Sequence, residues 1–313
     1  MNLKDIKKVA CVGVGTIGAS WATLYLWKGF DVAIQDISDE ALESAKRLIS
    51  SNFKFLEEKG LLTAESRKKA EGKAIYTVDL KEALTDAQFI QESAFESYEV
   101  KRNIVREMDE YAPDAIYATS TSGLLVSEIQ KLSRNPERCI TAHPFNPPHL
   151  LPLVELVRGK ETSEETVLLC YDFYKSIGKE PIIINKEIPG HVASRIQMAL
   201  WRECADLVMN GVCSVKDVDA ACCYGPGLRW ALMGPHLVWD LSNPKGIAAT
   251  IQHIGPQMNV WLPDMANWEK LPEGIGDIIA EGLKEETANT TPGELKAWRD
   301  DKLVEILKQV GKL

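Results

Sequence analysis

Apolar residues fall in short continuous runs through the first 187 positions and at helical spacing through the remainder. Val9 to Val12 is one such run and reads as a buried strand. Gly13-Val14-Gly15-Thr16-Ile17-Gly18 follows at once, and Ala19 to Lys28 carries apolar residues at helical intervals. Gly29 ends that helix, and Asp31 to Asp36 is a second strand closing on a carboxylate. Strand, glycine turn, helix and strand within some thirty residues make a βαβ unit.

The same alternation continues. Residues 74–78, 88–91, 115–119, 140–142, 153–157 and 181–184 read as further short strands, with helical stretches between them. Residues 41–58 read as helix interrupted by the polar Ser50-Ser51-Asn52. Such alternation predicts a doubly wound, mostly parallel sheet with helices on both faces. After Ile188-Pro189-Gly190 the strand pattern stops. His191 to Asn210 has the period of a long amphipathic helix, and 215–223, 237–241, 244–253 and 295–309 are helical in tone. The expected organisation is an α/β domain over 1–187 and an all-helical domain over 188–313, with ligands bound beyond the carboxyl ends of the strands.

The glycine turn has the context that makes it informative. It leaves a strand, opens a helix, and is succeeded by a strand ending at Asp36, eighteen residues beyond Gly18. Gly13 permits the tight turn, Gly15 lets a pyrophosphate approach the backbone, and Gly18 brings helix and strand together. Thr16 and Ile17 lie at the helix N-terminus, whose free N–H groups suit phosphates. Asp36 can accept from ribose hydroxyls and repels a 2′-phosphate, so the expected cofactor is NAD on a Rossmann-type domain.

Composition narrows the partners. With 36 basic and 45 acidic residues the net charge is −9, a sign that repels phosphate backbones and argues against nucleic acid. No run reaches the roughly 18 apolar residues of a membrane span, and the first residues lack the pattern of a signal peptide. Seven cysteines, none in a C-x-x-C pair, read as reduced thiols of a cytoplasmic protein. No spacing suggests a metal site.

Three polar residues stand near strand ends. Ser122 follows the strand ending at Thr119, His143 follows another, and Glu155 sits between Val154 and Leu156. A carboxylate in an apolar strand is costly to bury without a partner, and an imidazole would meet that need and be steadied by it. An edge strand that turns Glu155 outward, with His143 only shaping the turn before Pro144, fits the spacing equally well.

Taken in order, Gly13 to Gly18, Thr119-Ser-Thr-Ser122, His143-Pro-Phe-Asn-Pro147 with Glu155, and Lys186-Glu-Ile-Pro-Gly190 resemble the successive signatures of the 3-hydroxyacyl-CoA dehydrogenase superfamily. That resemblance covers nearly the whole chain. It implies a general base at His143 paired with Glu155 twelve residues on, a substrate-oxygen contact from Ser122, and nicotinamide-side contacts from Glu96, Lys101 and Asn146. It also implies a homodimer joined through the helical domain. The chain departs from the pattern at Ser194, where the family usually has asparagine. His191 stands where the family often has an aromatic or aliphatic residue, and packing is its expected role.

Within the superfamily, Phe89-Ile-Gln-Glu-Ser93, Ala199-Leu-Trp-Arg-Glu203 and Gly227-Leu-Arg-Trp230 most resemble the L-carnitine dehydrogenase group. This implies oxidation of the 3-hydroxyl of a small 3-hydroxy acid. A quaternary ammonium is held best against aromatic faces, and six of the eight tryptophans lie beyond residue 187. Trp201 and Trp230 are candidates for that contact, and Arg229 or Arg202 for a carboxylate. Dehydrogenases of L-3-hydroxyacyl-CoA or of L-gulonate, and a crystallin-like NAD-binding protein without turnover, are the alternatives.

Overall fold

In the computed structural model, residues 1–287 and 290–313 are described. The chain divides into two compact units, 1–194 with 300–313 and 195–299. This differs from a single cut at 187: residues 188–194 and the last fourteen belong with the sheet. Val304 and Leu307, the buried positions of the final helix, join the core of the first unit, and Lys59 forms an ion pair with Asp301.

The first unit runs β1 (Lys8–Val12), α1 (Thr16–Trp27), β2 (Asp31–Gln35), α2 (Asp39–Glu58), α3 (Ala64–Glu71), β3 (Ala74–Thr77), α4 (Leu80–Leu84), β4 (Phe89–Glu92), α5 (Tyr98–Tyr111), β5 (Ile116–Thr119), α6 (Val126–Ile129), β6 (Cys139–Pro144), β7 (Leu153–Arg158), α7 (Glu164–Ser176) and β8 (Glu180–Ile184). The strands form one sheet in the order β3-β2-β1-β4-β5-β6-β7-β8. Every neighbouring pair is parallel except β6 with β7. The order reverses between β1 and β4, and there the loops after the two strands part to leave a crevice.

Local chemistry accounts for the elements. Val9 to Val12 are buried on both faces, as a central parallel strand requires. Helix α2 buries Leu42, Ala45, Ile49, Phe53 and Leu56, a single stripe at helical spacing, and Ser38 caps it by accepting from the Ala41 amide. It runs unbroken through Ser50-Ser51-Asn52, where an interruption was expected. Ser50 and Ser51 lie on its exposed face, and Asn52 Nδ2 donates to Thr23 Oγ1 at 3.1 Å, tying α2 to α1.

Between α1, α7 and the sheet lies an aromatic cluster of Trp21, Tyr25, Phe89, Phe173 and Tyr174, with the Phe89 and Phe173 rings 4.3 Å apart. Fully burying each such ring contributes about 1.5–3 kcal/mol. Tyr25 and Tyr174 hydroxyls both donate to Gln91 Oε1, and Gln91 Nε2 donates to Ser120 Oγ at 3.0 Å. The loop after β5 is thus anchored to the packed core.

The second unit is helical: α8 (Ala193–Met209, entered from the first unit), α9 (Val215–Tyr224), α10 (Pro226–Trp230), α11 (Pro235–Asp240), α12 (Ile247–Trp261) and α13 (Ile275–Glu286). The final helix, α14 (Pro292–Gln309), leaves it for the first unit. Helix α13 had no clear sequence signal because Gly276 and Gly282 interrupt its apolar pattern. Gly282 packs against Val215, where an added Cβ would come within 2.3 Å of a methyl. That glycine serves close helix packing rather than a turn.

Candidate functional site

The glycine loop lies at the carboxyl end of β1, in the crevice beside β4. Gly13 has φ +78°, and a Cβ there would meet the Ala94 backbone at 2.5 Å. A Cβ on Gly18 would come within 2.0 Å of the Gly13 carbonyl oxygen, while Gly15 faces open space. Gly13 and Gly18 therefore let strand and helix meet, and Gly15 leaves its face open. Helix α1, beginning at Thr16 and Ile17, has no side-chain cap, so its first N–H groups stay available to an anion.

A cavity of about 900 Å³ adjoins this loop, lined by Gly13, Gly15, Asp36, Ile37, Leu80 and Phe95 among others. The Asp36 carboxylate accepts from the amides of Val14 (2.8 Å) and Ile37 (2.7 Å), which hold it at the cavity wall. Ile37 and Phe95 are 91% and 79% exposed, apolar flanks suited to a flat base. An open phosphate cradle, a carboxylate for ribose and apolar walls fit a dinucleotide without a 2′-phosphate.

The catalytic candidates lie on neighbouring strands. His143 and Glu155 are paired directly in the β6–β7 register, and His143 Nδ1 is 2.8 Å from Glu155 Oε2. Glu155 is fully buried, and its other oxygen accepts from the amides of Val192 and Ala193 at 2.9 Å each. Burial pushes the Glu155 pKa up, but the hydrogen bonds from His143, Ala193 and Val192 outweigh it and hold the carboxyl below its ordinary value. An ionised Glu155 accepts the Nδ1 proton of His143, which leaves Nε2 as the basic nitrogen.

Ser122 and Asn146 are exposed, the first in the loop after β5 and the second in the loop after β6. Thr121 and Ser120 do the anchoring: Thr121 donates to Glu96, and Ser120 bonds Gln91 and Ser93. Lys101 is almost fully buried, with its ammonium 2.8 Å from Glu92 and 3.3 Å from Glu96. In this structure Lys101 holds Glu96 rather than opening onto a cavity. Burial raises the Glu96 pKa, and the Thr121 hydroxyl with the Lys101 charge more than reverses that.

One buried group escaped the sequence reading, and another does more than was expected of it. Glu92 ends β4 fully buried, accepting from Lys101, Tyr117 and the Ala94 amide. Its signal was the same as that of Glu155, a carboxylate inside an apolar strand, with Lys101 nine residues on. His191 is packed as expected but also hydrogen-bonded: its Nε2 lies 3.1 Å from the Thr121 carbonyl, and its ring centroid 5.2 Å from that of His143.

In the second unit Arg229, Trp239 and His253 line a cavity of about 340 Å³; Trp239 was not singled out from sequence. Trp201 and Trp230 are 36% and 41% exposed. Ser194, the last residue of the first unit, is half-buried beside the Glu155-bound amides. No group of three His, Cys, Asp or Glu side chains among the described residues could hold a metal ion. All seven cysteines are free, and no helix among the described residues is long and apolar enough to cross a membrane.

A dinucleotide crevice and a buried carboxylate–imidazole pair carried by the same sheet define an NAD-dependent dehydrogenase acting on a CH–OH group. Residues 8–188 match the NAD binding domain of 3-hydroxyacyl-CoA dehydrogenase and residues 190–280 its C-terminal domain, and the chain belongs to that family. It is 38% identical to an L-carnitine dehydrogenase of Bacillus cereus, over 100% of this chain and 95% of the relative. It is 37% identical to an L-carnitine dehydrogenase of Streptomyces griseus, over 99% and 92%. Among solved structures, an NAD+-dependent 5-formyl-3-hydroxy-2-methylpyridine 4-carboxylic acid 5-dehydrogenase superposes with a TM-score of 0.81 at 26% identity, covering 97% of each chain.

Proposed function

We propose that this chain oxidises the 3-hydroxyl of L-carnitine to 3-dehydrocarnitine, with His143 as general base. The observation that carries the chemistry is the 2.8 Å contact between His143 Nδ1 and the buried Glu155 carboxylate. Similarity over full length to relatives named L-carnitine dehydrogenase supports the substrate.

NAD, when bound, would supply the hydride acceptor. Gly13, Gly15, Thr16, Ile17 and Gly18 would cradle its pyrophosphate and Asp36 its ribose, with Glu96 and Asn146 toward the nicotinamide. His143 Nε2 takes the proton of the secondary alcohol, and Glu155 holds the ring in the Nδ1–H tautomer and stabilises the imidazolium that forms. Ser122, with an exposed hydroxyl, donates to the reacting oxygen. Lys101 and Glu92 act one step back by fixing Glu96. In the reverse direction His143 returns the proton to the alkoxide.

Within the helical unit Arg229 and Trp239 line one cavity; Arg229 is the candidate contact for the substrate carboxylate, and an aromatic face the candidate for its quaternary ammonium. Trp201 and Trp230 remain candidates for the same contact, and Ser194 for one hydrogen bond to substrate.

The working unit is a homodimer in the cytoplasm. Tyr224, Leu228, Leu232, Leu241, Val260 and Trp261 are all more than half exposed in the helical unit. So much apolar surface on one small unit marks an interaction face, and a second copy of the chain is the occupant proposed.

The decisive experiment follows NAD reduction with L-carnitine, L-gulonate and L-3-hydroxybutyryl-CoA side by side. L-Carnitine is expected to be the preferred substrate. Oxidation of the thioester alone would overturn the reading, and absence of turnover with all three would favour a non-catalytic NAD-binding protein.

A further inference from the structure

His191 is built in a way that packing alone does not explain. It is 3% exposed and one of two non-glycine residues with positive φ among those described, at +49°. Such a backbone carries strain that the surroundings must hold in place. Its Nε2 faces the carbonyl oxygen of Thr121. A carbonyl only accepts, so Nε2 carries the hydrogen and Nδ1 is left with a lone pair. That Nδ1 is buried with no hydrogen-bond partner among the described residues. A buried, unmet acceptor is costly and calls for a donor or a positive charge from elsewhere.

The ring stands beside the proposed base. A 3-hydroxy acid held by its hydroxyl on His143 Nε2 presents the groups flanking that carbon to the neighbouring imidazole. In L-carnitine those groups end in a carboxylate and a trimethylammonium. A lone pair repels the first and attracts the second, whose methyl hydrogens carry part of the positive charge. Burial holds the His191 pKa below its ordinary value, and neighbouring His143 works the same way, so the ring stays neutral. The carboxylates of Glu155 and Glu187, whose fields reach the ring, further favour a cation at this place.

We propose that His191 is a specificity-determining residue whose Nδ1 lone pair meets the quaternary ammonium of the substrate. The inference rests on the L-carnitine reading and adds to it the side of the pocket where the cation lies. Through its bond to Thr121 the same residue also sets the loop that carries Ser122.

The test compares L-carnitine with its uncharged isostere, in which a tert-butyl group replaces the trimethylammonium. Wild-type enzyme is expected to favour L-carnitine in kcat/KM. His191→Leu should reduce that preference about tenfold, the cost of an unmet buried polar contact, with KM for NAD unchanged. His191→Asn, which tolerates positive φ and keeps an acceptor, should retain most of it. An unchanged preference in His191→Leu overturns the inference.

If His191→Leu does not fold, the wild-type enzyme still decides. Protonation of His191 on acidification should lower kcat/KM for L-carnitine relative to the isostere, while any effect of pH on the proton-transfer step common to both substrates cancels in the ratio. A ratio independent of pH overturns the inference. Failure of the wild-type enzyme to oxidise L-carnitine overturns the substrate reading and this inference with it; oxidation with unaltered discrimination overturns the inference alone.

Discussion

His143 and Glu155 are twelve residues apart in the chain and face each other across the antiparallel β6–β7 pair, Nδ1 to Oε2 at 2.8 Å. The carboxylate is also held by two backbone amides, so the imidazole docks on a fixed point. Replacing His143 by Gln removes the base and leaves the cofactor crevice untouched. We expect kcat to fall by about 10²–10⁴ while NAD binding, followed by fluorescence titration, stays near wild type. Near-normal turnover would remove His143 from the reaction.

Glu155→Gln tests the tautomer. With the amide oxygen kept on the Val192 and Ala193 N–H groups, the amide NH₂ faces His143 Nδ1 and donates to it. The ring proton then moves to Nε2, and the base is lost with little change of shape. The expected result is a fall in kcat of about 10²–10⁴, as for any loss of the positioned base, with KM for NAD unaltered. A kcat within twofold of wild type would show that the carboxylate does not set the tautomer.

Asp36 should govern the choice of dinucleotide. Its charge is held at the cavity wall by the Val14 and Ile37 amides, where it repels a 2′-phosphate. In steady-state kinetics the wild-type enzyme should use NAD far better than NADP, and Asp36→Asn should narrow the gap mainly by weakening NAD. Equal use of both by the wild type would contradict this role.

Gly18→Ala probes the contact between α1 and the β1 turn. The new methyl would meet the Gly13 carbonyl oxygen at 2.0 Å, and the backbone must give way. A loss of about 1–3 kcal/mol, typical of overpacking, should appear in urea unfolding, together with a raised KM for NAD. A variant as stable as wild type, with unaltered KM, would show that the loop can shift freely.

Acid sensitivity should be set largely by His149. It is buried, with Nδ1 2.7 Å from Ser20 Oγ, and burial, with the charge of Lys179, lowers its pKa from 6.5 to about 4. The unfolded chain therefore takes up this proton first as the pH falls. The stability is fully present above pH 6.5 and is lost between pH 6.5 and 4, to a total of about 3 kcal/mol. Glu155, whose pKa is depressed, is stabilising above the ordinary carboxylate pKa and adds a further loss as the pH falls through its folded value. Urea midpoints between pH 7.5 and 4 should trace the loss, and His149→Gln should flatten it. An unchanged slope in that variant would assign the acid sensitivity elsewhere.

The sequence by itself determined what depends on local pattern. The run Val9–Val12, the glycine spacing after it and the terminal carboxylate of Asp36 specify strand, turn, helix and dinucleotide crevice, because burial, backbone freedom and anion binding act within about thirty residues. It marked Glu155, alone in an apolar strand, as a carboxylate either buried with a partner or turned outward from an edge. Which of these holds was a matter for the tertiary structure: only the antiparallel register of β6 and β7 aligns His143 with Glu155, and a shift of one residue would turn the side chains to opposite faces.

Tertiary structure alone also decided the return of residues 300–313 to the first unit, the burial of Lys101 between Glu92 and Glu96, and the unmet Nδ1 of His191. Each is a contact between segments distant along the chain. Burial and hydrogen bonding, on which charge state and reactivity depend, exist only once those segments meet.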